Sequence, residues 1–168
     1  MKSMPHSSIL PLKGAVRHYE WGGFRFIPEL TRINNPRLRP FAELWFGDHP
    51  AAPSSVRLNK REIKMDELMS MSGRAVLGKT HFARYNGRLP YLFKVLDVRE
   101  MLSIQVHPDR KQAENGFFRE NAAGIRITDP HRNYRDPRPK PEMQVALTDF
   151  WLLCGFRSVK EIRSAFLI

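Results

Sequence analysis

The stretch "YLFKVLDVREMLSIQVHP", residues 91–108, contains two runs with the composition of β-strands, "YLFKVLDV" and "LSIQVH". In the second run apolar residues alternate with polar ones, so a strand would place its leucine, isoleucine and valine on one face. Gln105 and His107 would lie together on the opposite face, just before a proline ends the strand. Such neighbouring polar side chains need a partner that satisfies them.

Similar short runs recur along the chain and predict a mainly β fold. Each is rich in Val, Leu, Phe and Tyr, and the 13 prolines and 10 glycines supply the breaks between them, as a sandwich or barrel of short strands requires. The further runs are "AVRHYEW" (15–21), "AELWF" (42–46), "SVRLN" (55–59) and "EMQVALT" (142–148).

Short helices are expected to interrupt the strands. They cover about residues 65–77 with a break near 72–73, about residues 111–121, and the last residues from 158 onward. Asp109 and Gln112 have the spacing of a capping box for the second helix, and Ser158 and Glu161 have it for the third.

The composition limits the classes of partner. The 28 Lys and Arg residues against 17 Asp and Glu give a formal net charge of +11, which suits an anionic partner such as a phosphorylated metabolite or a nucleic acid. The basic residues are scattered, however, and form no long basic block. A nucleic-acid partner is therefore the less favoured interpretation.

A reduced compartment is the default for a chain with a single cysteine, Cys154. The N-terminal residues lack the unbroken apolar stretch of a signal peptide, and no segment approaches the roughly 20 apolar residues that span a bilayer. We expect a soluble, cytoplasmic protein with no membrane partner. The last helix carries an apolar stripe with no C-cap, so we expect the chain to be the front part of a longer one.

Gln105, His107 and Glu142 are the candidate metal ligands. Imidazole nitrogen and carboxylate oxygen are ordinary zinc ligands, and an amide oxygen is an acceptable donor. Three such groups converging from two strands would make an open metal site with room for water or substrate. From spacing alone, a satisfied strand histidine and an exposed glutamate remain the alternative.

Longer motifs add to this interpretation. The stretches "YEWGG", "AELWFGDHPAAPSSV", "LPYLFKVLDVREMLSIQVHPD", "ENAAGI" and "NYRDPRPKPEMQVALTDF" occur in this order along the chain. From about Tyr19 to Phe156 the chain resembles the type I mannose-6-phosphate isomerases, which belong to the cupin superfamily. Long motifs such as "LSIQVHP" are much harder to meet by chance than a single triplet.

The resemblance implies a cupin-type jelly-roll barrel with helical insertions and one zinc ion per subunit. Gln105, His107 and Glu142 match three of the family's zinc ligands, and the fourth, a distant histidine, has no counterpart here because His131 does not match its motif. The implied organisation is an incomplete catalytic domain over residues 1–156 and the start of a helical domain over 157–168.

The resemblance also assigns roles to residues around the sugar. Lys94 and Lys140 match catalytic cations, and Trp21, Glu43 and Ser103 match substrate-binding positions. Lys94 also stands out by itself, because a lysine within an apolar strand is costly unless it meets an anion or a cavity. On residue type alone the other four would be ordinary strand or loop residues, and Glu43 would face solvent.

One departure concerns the residue before the Lys-Pro-Glu motif. Related enzymes commonly carry a histidine there, whereas this chain has Pro139. A proton transfer assigned to that histidine in relatives does not carry over, but the ligand backbone around Glu142 is kept.

The implied reaction interconverts mannose 6-phosphate and fructose 6-phosphate by moving a proton between C1 and C2 through an enediol. The expected partner is this small sugar phosphate, with no nucleic acid, and the expected state is a monomer. Two alternatives stay open: a non-catalytic cupin-like module that binds metal or sugar phosphate, and, less favoured, a basic nucleic-acid-binding domain.

Overall fold

The computed structural model describes residues 9–58 and 60–166. The chain divides into two compact units, a first unit up to Met101 and a second unit from Leu102 onward. Ile168, the last residue of the predicted apolar stripe of the final helix, lies outside the described residues. No helix in the described ranges has the length and apolarity needed to cross a membrane.

Two three-stranded antiparallel sheets form the first unit, with the strand orders β1-β4-β5 and β2-β3-β6. Their strands are β1 (Leu12–Lys13), β2 (Ala15–Arg17), β3 (Glu43–Phe46), β4 (Ser55–Leu58), β5 (Arg61–Lys64) and β6 (Phe93–Leu96). The antiparallel β architecture confirms the coarse prediction from the short apolar runs. Strands β1 and β5 were not predicted, because two to four residues rich in Lys and Arg carry little strand signal.

The apolar core of the first unit consists of two clusters. In one, Ile27, Phe41 and Leu44 pack with the partly buried Val16, Phe46 and Val95 on one face of the β2-β3-β6 sheet. In the other, Val56 of β4 packs against three residues of a helix, Met65, Leu68 and Met69. Each sheet therefore has one face covered by apolar side chains.

Two helices belong to the first unit: α1 (Phe26–Thr31) and α2 (Met65–Arg84). Helix α2 is broken at Ser72, whose φ/ψ of −141° and 17° are not helical, so the predicted break is confirmed. A second interruption at Gly78, with φ of 72°, lets the segment continue to Arg84, past the predicted end near residue 77. Helix α1 was not predicted, since its six residues are too few to show a helical period.

The second unit contains α3 (Arg110–Ala122) and α4 (Val159–Phe166). Both predicted capping boxes are present. The Asp109 carboxylate accepts from the Gln112 backbone N–H at 2.8 Å, and the Gln112 side chain accepts from the Asp109 N–H at 2.9 Å. At α4, Glu161 accepts from the Ser158 N–H at 3.0 Å, and the Glu161 N–H donates to the Ser158 hydroxyl at 3.3 Å.

Two predicted strands of the second unit are not formed as ladders. Within residues 102–108 the structure has a single bridge, Leu102 to Leu152, and residues 142–148 form no strand among the described residues. A strand needs a neighbour that supplies its backbone hydrogen bonds. The bond that the Leu153 N–H donates to the Leu102 carbonyl is too little to build a ladder. The alternating pattern therefore indicates that these residues can form a strand, but it does not identify the neighbouring strand with which they would pair.

Candidate functional site

Two predicted metal ligands of the second unit, His107 and Glu142, meet in space. The His107 Nε2 and Glu142 Oε2 atoms are 3.6 Å apart, although α3 and a long loop separate the two residues along the chain. Their side chains are 32% and 57% exposed, so a ligand or solvent can reach both atoms. The pair is thus open on at least one side, as a catalytic metal site requires.

The spacing of these two atoms fits a shared metal ion. Two ligands bound about 2.1 Å from a tetrahedral zinc lie roughly 3.4 Å apart, close to the separation of His107 Nε2 and Glu142 Oε2. Gln105 lies two residues before His107 on the same extended segment, and its side chain is exposed. In residues 9–58 and 60–166 no three His, Cys, Asp or Glu side chains converge on one point. The Gln105 amide remains the third ligand that the sequence predicts for this unit.

Helix α3 fixes the position of His107 from one side. The helix begins at Arg110, and its capping box at Asp109 sets the direction in which the preceding Pro108 and His107 enter. Ala113 in the next turn is fully buried, so this turn of the helix is packed against other residues. The His107 segment is therefore fixed at its C-terminal end by helix geometry.

Glu142 is reached through a loop that is held to the other end of α3. Arg132 in this loop is buried, and its Nε donates to the Tyr134 carbonyl at 2.7 Å. Its other nitrogens donate to the Asn121 side chain at 2.7 Å and to the carbonyl of Ile125. A single guanidinium thus links the end of α3 to the loop that leads to Glu142.

The carboxylate of Glu120 completes this network. It accepts from the Tyr134 N–H at 2.8 Å and from the Asn133 N–H at 3.2 Å, and it pairs with Arg132 Nε at 3.5 Å. Burial opposes ionisation of Glu120, but the two backbone N–H groups and the Arg132 charge outweigh it and hold the pKa of Glu120 below its usual range. Glu120 is therefore a charged structural group.

The other predicted site residues of the second unit have few contacts. Lys140 Nζ lies 3.4 Å from the Asp136 carboxylate, and both side chains are at least one-third exposed. Ser103 is exposed, and its hydroxyl has no hydrogen-bond partner among the described residues. The structure brings His107 and Glu142 together, and it leaves Ser103, Gln105 and Lys140 accessible without joining them to that pair.

In the first unit, Glu43 and Lys94 are brought together on the face of the β2-β3-β6 sheet opposite the apolar cluster. Trp45 is directly paired with Lys94, and Glu43 lies two residues before Trp45 on the same face. Lys94 Nζ is 3.5 Å from Glu43 Oε1, and the two side chains are 28% and 10% exposed. The expectation that Lys94 meets an anion is confirmed, whereas the residue-type expectation that Glu43 faces solvent is wrong, because Glu43 is buried and its carboxylate contacts Trp45 and Lys94.

Trp21 lies elsewhere in the first unit. Its ring stacks on that of Tyr19 with centroids 5.5 Å apart, and its carbonyl accepts from the Arg99 N–H at 3.0 Å. Among the described residues no hydrogen bond or ring contact joins Trp21 to Glu43 or Lys94. Its half-buried aromatic surface remains available for stacking.

Sequence reasoning missed two residues of this polar face, Trp45 and Arg17. The Trp45 indole N–H donates to Glu43 Oε2 at 2.6 Å, and the Lys94 ammonium and the Arg17 guanidinium lie 5.0 and 5.2 Å from the centroid of its ring. The alternation of strand β3 was the available signal, because Trp45 shares a face with Glu43.

Comparison with known proteins bears on both sites. The family model described as phosphomannose isomerase type I, catalytic domain, matches residues 9–159. The chain belongs to this family. As a phosphomannose isomerase family member it is 42% identical to the mannose-6-phosphate isomerase of Salmonella typhimurium, over 91% of this chain and 39% of that protein.

A relative in another organism and a solved structure support the same family assignment. The mannose-6-phosphate isomerase of Homo sapiens is 36% identical over 92% of this chain and 36% of its own length. A crystal structure of the Salmonella typhimurium enzyme bound to substrate (f6p) and zinc superposes with a TM-score of 0.70 and 41% identity, covering 80% of this chain and 34% of that one. The chain spans about 39% of the length of the curated Salmonella relative.

Proposed function

We propose that this chain is the part of a zinc-dependent mannose-6-phosphate isomerase that carries the Gln105, His107 and Glu142 ligands. The observation that supports this most directly is the approach of His107 Nε2 to Glu142 Oε2, at 3.6 Å, across a wide separation in sequence. The two atoms belong to the motifs that match the family. An imidazole and a carboxylate at this separation suit a borderline-soft divalent cation.

The reaction proposed is the interconversion of mannose 6-phosphate and fructose 6-phosphate. A proton leaves C2 of the open-chain aldose, an enediol forms, and a proton arrives at C1 to give the ketose. When bound, zinc would supply Lewis-acid polarisation of the substrate oxygens. The role of His107, Glu142 and Gln105 is to hold that ion while leaving a coordination position open.

The protein's own cations carry the second part of the proposal. Negative charge develops on the carbonyl oxygen as the proton leaves carbon, and positioned ammonium groups stabilise it. We assign this role to Lys94 and Lys140. Trp21, Glu43 and Ser103 are assigned to substrate binding: Trp21 offers an aromatic surface, Glu43 accepts hydrogen bonds from hydroxyl groups, and Ser103 donates to a phosphate oxygen.

Finer features accompany the function. We propose a cupin-type jelly-roll barrel for the complete fold, with the incomplete catalytic domain over residues 1–156 and the start of a helical domain over 157–168. We also propose that the protein is cytoplasmic and acts as a monomer on a small sugar phosphate.

Zinc content is the direct test. We expect about one zinc ion per chain by elemental analysis after dialysis, and His107→Ala or Glu142→Gln should weaken zinc binding by more than about 100-fold. His131→Ala and Glu114→Gln are matched controls, because both residues are exposed and lie outside the pair. Unchanged zinc content in the His107 and Glu142 variants would refute the ligand assignment.

A measurement of mannose 6-phosphate turnover distinguishes the isomerase hypothesis from that of a non-catalytic binding module. The alternative is a non-catalytic cupin-like protein that binds metal or sugar phosphate, and it is favoured by Pro139, which cannot transfer a proton. Conversion of mannose 6-phosphate that depends on both zinc and Lys94 would support the isomerase. Zinc binding with no turnover would support the binding module.

A further inference from the structure

Trp45 occupies the centre of the polar face of the first unit. It is 7% exposed, and its backbone carbonyl accepts from the Ser54 hydroxyl at 2.9 Å. The Ser54 hydroxyl in turn accepts from the Gly47 N–H at 2.9 Å, which closes the turn after strand β3. The backbone of Trp45 is therefore fixed both by the sheet and by this loop.

The indole makes two different contacts with the Glu43–Lys94 pair. Its N–H donates to one carboxylate oxygen of Glu43 at 2.6 Å, and the other oxygen faces Lys94 Nζ at 3.5 Å. Its ring lies 5.0 Å from the same ammonium group, within the range of a cation–π contact. Both partners of the ion pair are thus positioned against one rigid side chain.

The guanidinium of Arg17 borders the indole ring. It lies 5.2 Å from the ring centroid of Trp45, and its nitrogens donate to the Tyr19 hydroxyl at 3.2 Å and the Ala51 carbonyl at 3.4 Å. A cation held by these two hydrogen bonds borders the ring, which favours the orientation in which the indole N–H is directed at Glu43. A charge-assisted bond of this kind is stronger than one between neutral groups.

We propose that Trp45 is a positioning residue for the Lys94 ammonium, acting through the Glu43 carboxylate. Without the indole N–H, one oxygen of a nearly buried carboxylate would lack its donor, and Glu43 would rotate to find another. This rotation removes the anion that holds Lys94. The consequence for catalysis rests on the proposed function, because Lys94 is assigned there as a cation that stabilises the reacting sugar phosphate.

The test measures how fast Lys94 reacts with an acylating reagent, N-acetoxysuccinimide, as quantified by peptide mass spectrometry. Trp45→Phe keeps an aromatic ring but removes the N–H, and it should speed acylation of Lys94 by about threefold to fivefold, the effect of losing a partly exposed ion pair. Lys111, exposed on α3, is the internal standard. Trp151→Phe is the matched control, since Trp151 is 76% exposed in the second unit.

A double-variant cycle separates positioning from simple structural support. Glu43→Gln removes the charge and should itself speed acylation of Lys94, while adding Trp45→Phe to it should change the rate by less than about 1.5-fold. Additive effects of the two changes, or an unchanged or slower rate in Trp45→Phe alone, would overturn the proposal.

A second measurement needs no change at Trp45 and therefore applies even if Trp45→Phe does not fold. The indole ¹H–¹⁵N resonance of Trp45 should move upfield in Glu43→Gln, because a charged acceptor is replaced by a neutral one. A resonance that stays in place would contradict the proposed bond. Neither measurement depends on zinc or turnover, so failure here and failure of the isomerase assignment are distinguishable.

Discussion

The two units are stabilised by different kinds of contact. Among the described residues, every buried apolar side chain of the core except Ala113 belongs to the first unit, where two apolar clusters cover the sheets. The first unit also buries the charged residues Glu43 and Asp48, whereas the second unit has few buried apolar side chains and buries the charged pair Glu120 and Arg132. Apolar burial tolerates small shifts of its partners, whereas a buried ion pair depends on every hydrogen bond in it.

This difference matters for the site that each unit carries. The Glu43–Lys94 pair of the first unit lies on a sheet whose far face is packed with apolar residues. The His107–Glu142 pair of the second unit is held by the ends of α3 and by a loop that a single arginine secures. The candidate metal pair should therefore be far more sensitive to single polar substitutions than the sheet pair is.

Arg132→Ala should produce the largest effect. It leaves the Ile125 and Tyr134 carbonyl groups without their side-chain donor and the Glu120 carboxylate without its cation, and removing one partner of a buried pair costs about 3–5 kcal/mol. We expect hydrogen-exchange protection of α3 to collapse, while the amides of strand β3 keep theirs, because every hydrogen-bond partner of Arg132 lies in the second unit.

The matched control for this prediction is Arg126→Ala, an exposed arginine of the same loop, which should leave exchange unchanged. If α3 stays protected in Arg132→Ala, the buried pair does not stabilise the second unit, and the contrast between the units fails.

Ile27→Ala is the corresponding change in the first unit. Ile27 is 0% exposed and packs with Phe41 and Leu44, so deleting its side chain should lower the free energy of unfolding by about 2–5 kcal/mol in urea denaturation. Leu30→Ala on the same helix is the control, since Leu30 is 54% exposed. Equal losses for the two variants would show that this cluster is not the core of the unit.

Local signals in the sequence were reliable where a few neighbouring residues decide the structure. The break of α2 at Ser72 and the capping boxes at Asp109 and Ser158 are confirmed, since each depends on contacts within four residues. Strands such as β3 and β6 are confirmed as well, because their apolar faces find a cluster to cover them.

Structural features that depend on residues distant in the sequence were not predictable. The alternation in residues 102–107 predicts a strand, but only a neighbour can supply a ladder, and within the described residues that neighbour contributes one bridge. For the candidate site, the sequence pattern predicted that Gln105, His107 and Glu142 converge; the structure brings His107 and Glu142 together and does not join Gln105 to them. The indole bond of Trp45 to Glu43 escaped notice because a tryptophan in a strand is usually interpreted as core.

A fall in pH should change the stability of the two units in opposite directions, because each unit contains a carboxylate with a shifted pKa and the two shifts have opposite signs. The pKa of Glu120 is held low, so its contribution to stability is present above the usual pKa of a glutamate and is lost as the pH falls through the lowered value. Burial raises the pKa of Asp97 more than the N–H groups of Ile27 and Phe26 lower it, so its contribution is present at low pH and is lost as the pH rises through the raised value.

Single substitutions test separately how each of these two carboxylates makes stability depend on pH. In Glu120→Gln, hydrogen-exchange protection of α3 should fall less between pH 5 and pH 3 than it does in the parent. In Asp97→Asn, protection of α1 should depend less on pH than in the parent, where it decreases as the pH rises. Glu114→Gln, an exposed carboxylate of α3, is the control and should leave the pH dependence unchanged. A steeper acid loss in Glu120→Gln than in the parent would contradict the lowered pKa.

The smallest effect is expected from Asp109→Ala, which removes the N-cap of α3 just after the His107 segment. Loss of a capping side chain costs about 1 kcal/mol, too little to unfold the unit but enough to fray the first turn of the helix. The fraying should reach His107, whose backbone enters the helix through Pro108, so zinc affinity should fall by about fivefold while the melting temperature falls by a few degrees. Ser158→Ala, which removes the cap of α4, costs a similar amount and should leave zinc affinity alone. Equal effects of the two cap deletions on zinc affinity would mean that the start of α3 does not position His107. In that case only the loop held by Arg132 would make the metal pair sensitive to polar substitutions.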